Sequence, residues 1–193
     1  MIDLPPPNYE QTIEAIVRCE IPRGSVRMAY ANYLQSDEVT ITDLGTVTED
    51  KLRCLKGAVH PFYILTIEDM AQRAAFYEFS EREDRPKQKS DALDWLRAKG
   101  LLDRLPVFDS GQSIEDFAVA VELACGLEAG SALMVFDKSW VTVRPDALSI
   151  EKFENSARDL ECLTNMMAAS DAHENGVRFG FIGNAAASKE EQK

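Results

Sequence analysis

Residues 150–168 read IEKFENSARDLECLTNMMA, and this stretch decides the fold class. Ile150, Phe153, Ala157, Leu160, Thr164 and Met167 recur at alternating spacings of three and four, with Leu163 and Met166 widening the stripe. That periodicity predicts an amphipathic helix. Glu151, Glu154, Asp159 and Glu161 lie mainly off the stripe, so the helix carries a carboxylate face. Before it, residues 132–136 and 140–143 flank Asp137, Lys138 and Ser139 in the pattern of a β-hairpin, and after it Val177, Phe179 and Phe181 alternate as a short strand. The expectation is an α+β, helix-rich fold. A small antiparallel sheet, the hairpin at about 132–143 plus a strand at about 177–182, packs on the long helix at about 150–168.

Working outward toward the N-terminus, helical signals dominate. Pro5–Pro6–Pro7 forms a stiff lead-in, and Asn8 with Gln11 resembles a capping box ahead of Ile13, Ile16 and Val17, which places a helix over about 9–20. Val26, Ala29, Tyr30, Tyr33 and Leu34 fall at helical spacing behind Ser25, which predicts a second helix and a helical hairpin around residues 21–24. Val39 and Ile41 alternate with Thr40 and Thr42 as one short strand. Thr46 or Thr48 then caps a helix bearing Leu52, Leu55 and Val59. Residues 62–65 fit either a buried strand or the entry to the next helix, whose stripe of Ile67, Met70, Ala71, Ala74 and Tyr77 runs to about Ser80.

Residues 80–90, SEREDRPKQKS, contain no large apolar group and one proline, which predicts a solvated linker. Beyond it come a short helix stopped by Gly100 and another opened by Ser113 and closed by Gly126. The expected organisation is a helical N-terminal portion with one strand over 1–85, an α+β portion over 90–183 and a flexible tail over 184–193. The two portions are alternatively one continuous domain. No internal repeat is legible.

The chain has 193 residues, of which 33 are Asp or Glu and 21 Lys or Arg, for a formal net charge of −12. Residues 111–175 carry twelve acids against four bases, Lys138, Arg144, Lys152 and Arg158. A negative field of this size repels nucleic acid and acidic membranes and attracts basic surfaces. No apolar run approaches the ~20 residues needed to span a bilayer, and residues 1–7 lack the basic and apolar segments of a signal peptide. Cys19, Cys54, Cys125 and Cys162 form no C-x-x-C pair and lie near apolar neighbours, so they read as reduced, buried thiols of a cytoplasmic protein.

Chemistry-bearing motifs are scarce. Asp171, His173, Glu174 and Asn175 are metal-capable types, but their spacing matches neither H-E-x-x-H nor an EF-hand loop, and they read as turn formers at a helix end. His60 and His173 lack any accompanying nucleophile signature. Gly176, Gly180 and Gly183 do not open a helix after a strand, as a dinucleotide site requires. The sequence therefore assigns no catalytic, cofactor or metal residue.

Residues 66–75 (TIEDMAQRAA) and 90–102 (SDALDWLRAKGLL) resemble the first and last helices of a winged helix-turn-helix, an Ala-rich helix followed by a Leu-rich one ending in Gly-Leu-Leu. The resemblance implies a regulator as one alternative, and a small enzyme using carboxylate or cysteine chemistry is another. The reading that best fits the charge pattern is a protein-interaction module, an inhibitor, immunity-type protein or adaptor. Its acidic face, through Glu151, Glu154, Asp159 and Glu161, would occupy a basic surface of a partner protein, including one that itself binds nucleic acid. A second copy of the chain is a further candidate partner for the helix stripe, giving a homodimer.

Overall fold

The computed structural model describes residues 8–32, 35–59, 63–109, 111–137, 139–144, 147 and 153–180. The chain is α+β and rich in helix, with two small three-stranded sheets rather than one among the described residues. It divides into two compact units, Met1–Asp84 and Arg85–Lys193.

In the first unit, α1 (Tyr9–Val17) starts at Asn8, whose side chain accepts from the amides of Glu10 and Gln11. A 3-10 turn (Arg23–Ser25) leads to β1 (Val26–Ala31) and β2 (Ser36–Ile41). Then come α2 (Glu49–Ala58), capped by Thr48, and β3 (Ile64–Ile67). β1 and β2 are antiparallel, and β2 and β3 run parallel. Ile16, Ile21, Val39, Ile41, Leu44, Leu55 and Ile67 are almost fully buried and form the centre of this unit's core.

The helix expected behind Ser25 is β1 instead. Its apolar residues fit both periods, but Val26 and Met28 stand opposite Ile41 and Val39 across a ladder, and that pairing decides the outcome. The expected linker at 80–90 is also overturned. It lies inside α3 (Met70–Ala98), the longest helix, with Pro86 in its interior. Glu, Lys, Arg and Gln are strong helix formers, and here several of the charges also meet partners in surface ion pairs. Arg82 pairs with Glu49, Glu83 with Arg53 at 2.8 Å, and Asp84 with Lys56, all joining α3 to α2 within the first unit. The two segments with winged-helix resemblance both run along α3, so they are not two helices joined by a turn.

The second unit continues from α3 through a 3-10 turn (Leu102–Arg104) to α4 (Ile114–Ala124), opened by Ser113. β4 (Leu133–Asp137), β5 (Trp140–Val143), α5 (Phe153–Ala169) and β6 (Arg178–Gly180) follow. β4 and β5 are antiparallel, but β5 and β6 are parallel, which corrects the antiparallel expectation. On α5 the buried face is Cys162, Leu163, Met166, Met167 and Ala169. Thr164 is exposed and Leu160 half-buried, so the stripe is rotated from its expected centre. The expected helix start at Ile150, Phe181 and the tail at 184–193 lie outside the described residues.

The two units repeat one plan. Each runs helix, strand, strand, helix, strand, with the same order and strand directions in its sheet. Cys19–Cys54 closes the first, 35 residues apart, and Cys125–Cys162 the second, 37 residues apart. All four cysteines are disulfide-bonded, so the reduced-thiol expectation is wrong. The sequences then align without gaps from each first cysteine: CEIPRGSVRMAY (19–30) against CGLEAGSALMVF (125–136), sharing Cys, Gly, Ser and Met. Val39-Thr40-Ile41 matches Val141-Thr142-Val143, and Leu52-Arg53-Cys54-Leu55 matches Leu160-Glu161-Cys162-Leu163. The residue after each first cysteine has positive φ, Glu20 at 62° and Gly126 at 78°. The amide of Ser25 donates to the Pro22 carbonyl at 2.8 Å, and that of Ser131 to the equivalent Glu128 carbonyl at 3.1 Å. An internal repeat is therefore present.

One local difference separates the copies. Val26 stands opposite Ile41, but in the second unit Leu133 rather than the equivalent Ala132 stands opposite Val143, a slip of one residue. A slip of one exchanges the two faces of a strand. At the strand start Leu133 is buried where the equivalent Arg27 is exposed, while Ala132 stays buried as Val26 is. Glu122, which replaces Ile16, is 1% exposed and accepts from the amides of Gly130, Ala132 (2.7 Å) and Leu133 (2.6 Å). These three donors satisfy a buried carboxylate and pin the slipped start of β4.

Candidate functional site

The C-terminal end of α3, the following turn and α5 of the second unit meet around an open pocket of about 270 Å³. Trp95 of α3 and Lys99 just after it line one side, with Leu101 and Arg104 beyond them, and Arg158, Asp159 and Glu161 of α5 line the other. The Cys125–Cys162 disulfide also borders it. Trp95 Nε1 donates to Glu161 Oε1 at 3.0 Å, and Lys99 Nζ lies 5.5 Å from the centroid of the Trp95 ring. The indole is thus fixed at its edge by a carboxylate and at its face by a cation.

The placement of cations in this unit is uneven. Arg85 and Lys89 hold Glu174 at 3.1 and 2.9 Å, Lys87 pairs with Asp91, and Arg97 with Asp94. Lys99, Arg104, Arg158 and Arg178 are in no ion pair among the described residues, and the first three line the pocket. Such a group offers charge-assisted donors to an oxyanion, while Asp159 and the outer oxygen of Glu161 offer acceptors.

Of the four carboxylates expected to meet a partner, Asp159 and Glu161 lie at this pocket beside cations. Glu154 is on α5, with its side chain outside the described residues, as is the whole of Glu151. The polar run at the end of α5 braces the fold. Asp171 accepts from the Phe108 amide at 3.0 Å, and Asn175 donates to the Asp171 carbonyl at 2.9 Å. Burial alone pushes the Glu174 carboxyl upward, but the Lys89 hydrogen bond, a backbone amide and the charges of Arg85 and Lys89 outweigh it and hold the group at about 2. Among the described residues no group of three metal-capable side chains gathers. His60 lies outside them. The disulfides leave no thiol for the cysteine-enzyme alternative.

Sequence reading missed Trp95, Lys99, Arg104 and Arg158. Trp95 fits the apolar pattern of an ordinary helix face, and its approach to Glu161 joins positions 66 apart in the chain. The signal that could have marked α5 is the repeat itself. Asp50, Lys51 and Arg53 occupy the places of Arg158, Asp159 and Glu161, so each of the three charges is inverted between the copies. Compared with protein-family models, curated proteins and solved structures, the chain matches none of them.

Proposed function

We propose that the protein is a binding module whose carboxylate-rich surface docks on a basic surface of another protein, in the manner of an inhibitor, immunity-type protein or adaptor. The observation that carries this reading is the fate of the cations. Residues 1–84 hold fifteen acids and eight bases, and residues 85–193 eighteen and thirteen, leaving −7 and −5. Arg23, Arg53, Lys56, Arg82, Arg85, Lys87, Lys89 and Arg97 are each held by a carboxylate of the same chain. The surplus acids remain to set the outer field, which steers a basic partner and disfavours nucleic acid.

The two disulfides favour an oxidising compartment over the cytoplasm, because reducing compartments do not maintain such links. No helix among the described residues is long and apolar enough to cross a membrane. The test is kinetic. A partner captured from the native host should associate at least ~10-fold more slowly at physiological than at low ionic strength. Replacing Glu151, Glu154 and Glu161 by Gln and Asp159 by Asn together should slow association at low salt without unfolding the chain. A salt-independent rate with an unaffected quadruple variant would remove the electrostatic reading.

A further inference from the structure

We propose that the pocket between α3 and α5 binds a small organic anion that carries hydrogen-bond donors beside its charge: a phosphate ester or carboxylate of a hydroxylated or aminated carbon skeleton. The pocket shares Asp159 and Glu161 with the docking face suggested above, but its occupant is a small molecule and its test needs no protein partner.

Four observations, besides the size of the cavity, converge on it. Lys99, Arg104 and Arg158 have no carboxylate partner among the described residues, although the chain has many more acids than bases. Three cations gathered in one concavity raise the local concentration of an anion and supply charge-assisted donors to it. Asp159 and Glu161 repel a bare anion but accept from hydroxyl or ammonium groups, so the lining selects a ligand bearing both kinds of group. The pocket's ~270 Å³ is near the lower end of the sizes that hold small ligands.

The third observation is the contrast between the copies. In the first unit Lys51 Nζ donates to the Leu44 carbonyl at 3.0 Å, and Arg53 pairs with Asp50 and Glu83. Those positions brace the fold there. In the second unit the inverted charges Arg158 and Asp159 make no such internal bond among the described residues, and Glu161 orients Trp95. Scaffold duty has been lifted from the very positions that face the pocket. The fourth observation is the disulfide, which ties the end of α4 to α5 at the pocket's edge and limits the ordering that binding would require.

The test uses the intact, oxidised chain labelled with nitrogen-15 and follows the Trp95 indole N–H, identified by its loss in Trp95→Phe. Glucose 6-phosphate and citrate are the ester and carboxylate probes, with glucose and inorganic phosphate as controls. At least one probe should shift the resonance saturably with Kd below ~1 mM, and both controls should bind at least ~10-fold more weakly. Arg104→Gln with Arg158→Gln should weaken the active probe at least ~10-fold with the circular dichroism unchanged. Asp159→Asn should weaken that probe while inorganic phosphate, relieved of a like charge, binds no more weakly than before. A response to one probe alone supports the proposal and identifies the source of the charge. No saturable shift with either probe up to ~20 mM overturns it, as does an equal response to inorganic phosphate or an undiminished response in the double variant.

Discussion

The N-terminal unit uses the charges of α2 to join neighbouring helices, whereas the C-terminal unit turns the equivalent charges of α5 toward a pocket. Arg53, Lys56 and Glu49 of α2 meet Glu83, Asp84 and Arg82 of α3. Arg158 and Asp159 of α5 have no counterpart to those bonds among the described residues, and Glu161 holds an indole instead. Two copies with one element order, one strand order and one disulfide position thus differ in what their second helix does. The difference teaches that the scaffold depends on the buried Leu-x-Cys-Leu core of that helix, where Leu55 and Leu163 are both sequestered, and leaves the outer charges free to diverge.

If the comparison holds, removing either disulfide should weaken its own unit by a similar amount. Separations of 35 and 37 residues correspond to about 4 kcal/mol each from restricted unfolded-chain entropy. The chain provides its own reporters, since all five tyrosines lie in residues 1–84 and both tryptophans in 85–193. Denaturation of Cys19→Ser/Cys54→Ser should move the tyrosine transition, and Cys125→Ser/Cys162→Ser the tryptophan transition. A large effect from one pair with none from the other would break the equivalence.

Glu122 sharpens the comparison at the place where the copies differ. Glu122→Leu restores the apolar character of Ile16 but strands the amides of Gly130, Ala132 and Leu133, and should cost about 2–3 kcal/mol in the tryptophan-monitored transition. A cost below ~0.5 kcal/mol would mean that the strand start does not rely on the carboxylate.

These differences also explain what the sequence could and could not reveal. Local chemistry was legible: Asn8, Thr48 and Ser113 each cap the helix expected of them, and the 132–143 hairpin and the long C-terminal helix are present. Features set by distant partners were not. Val26–Ala31 carries a pattern compatible with either period until β2 pairs with it. Residues 80–90 look like linker until the carboxylates and cations of α2 and Glu174 engage them. The repeat is hidden because the copies align at an offset of 106 residues from the first cysteine, 102 at the second strand and 108 at the second cysteine, so no constant offset aligns them. The pocket joins α3 to α5 across the whole of α4 and the hairpin, a distance no short motif encodes.

The smallest expected effect is a pH dependence confined to the second unit. The carboxyl of Glu174 is lowered from 4.5 to about 2, so its pairing with Arg85 and Lys89 stabilises fully above about pH 4.5 and is lost as the pH falls toward 2. Half of the Glu174 side chain meets solvent, which screens the gain. Tryptophan-monitored unfolding between pH 5 and 2.5 should show wild type losing its advantage over Glu174→Gln as acid is added. Parallel curves would show that the ion pairs contribute nothing.

The central claim is that two copies of one unit are each closed by their own disulfide. Protein taken from its native host, with thiols blocked at lysis, should yield under non-reducing digestion only the linked peptides Cys19–Cys54 and Cys125–Cys162, with no alkylated cysteine. Alkylated cysteines, or a link joining Cys19 or Cys54 to Cys125 or Cys162, would contradict it.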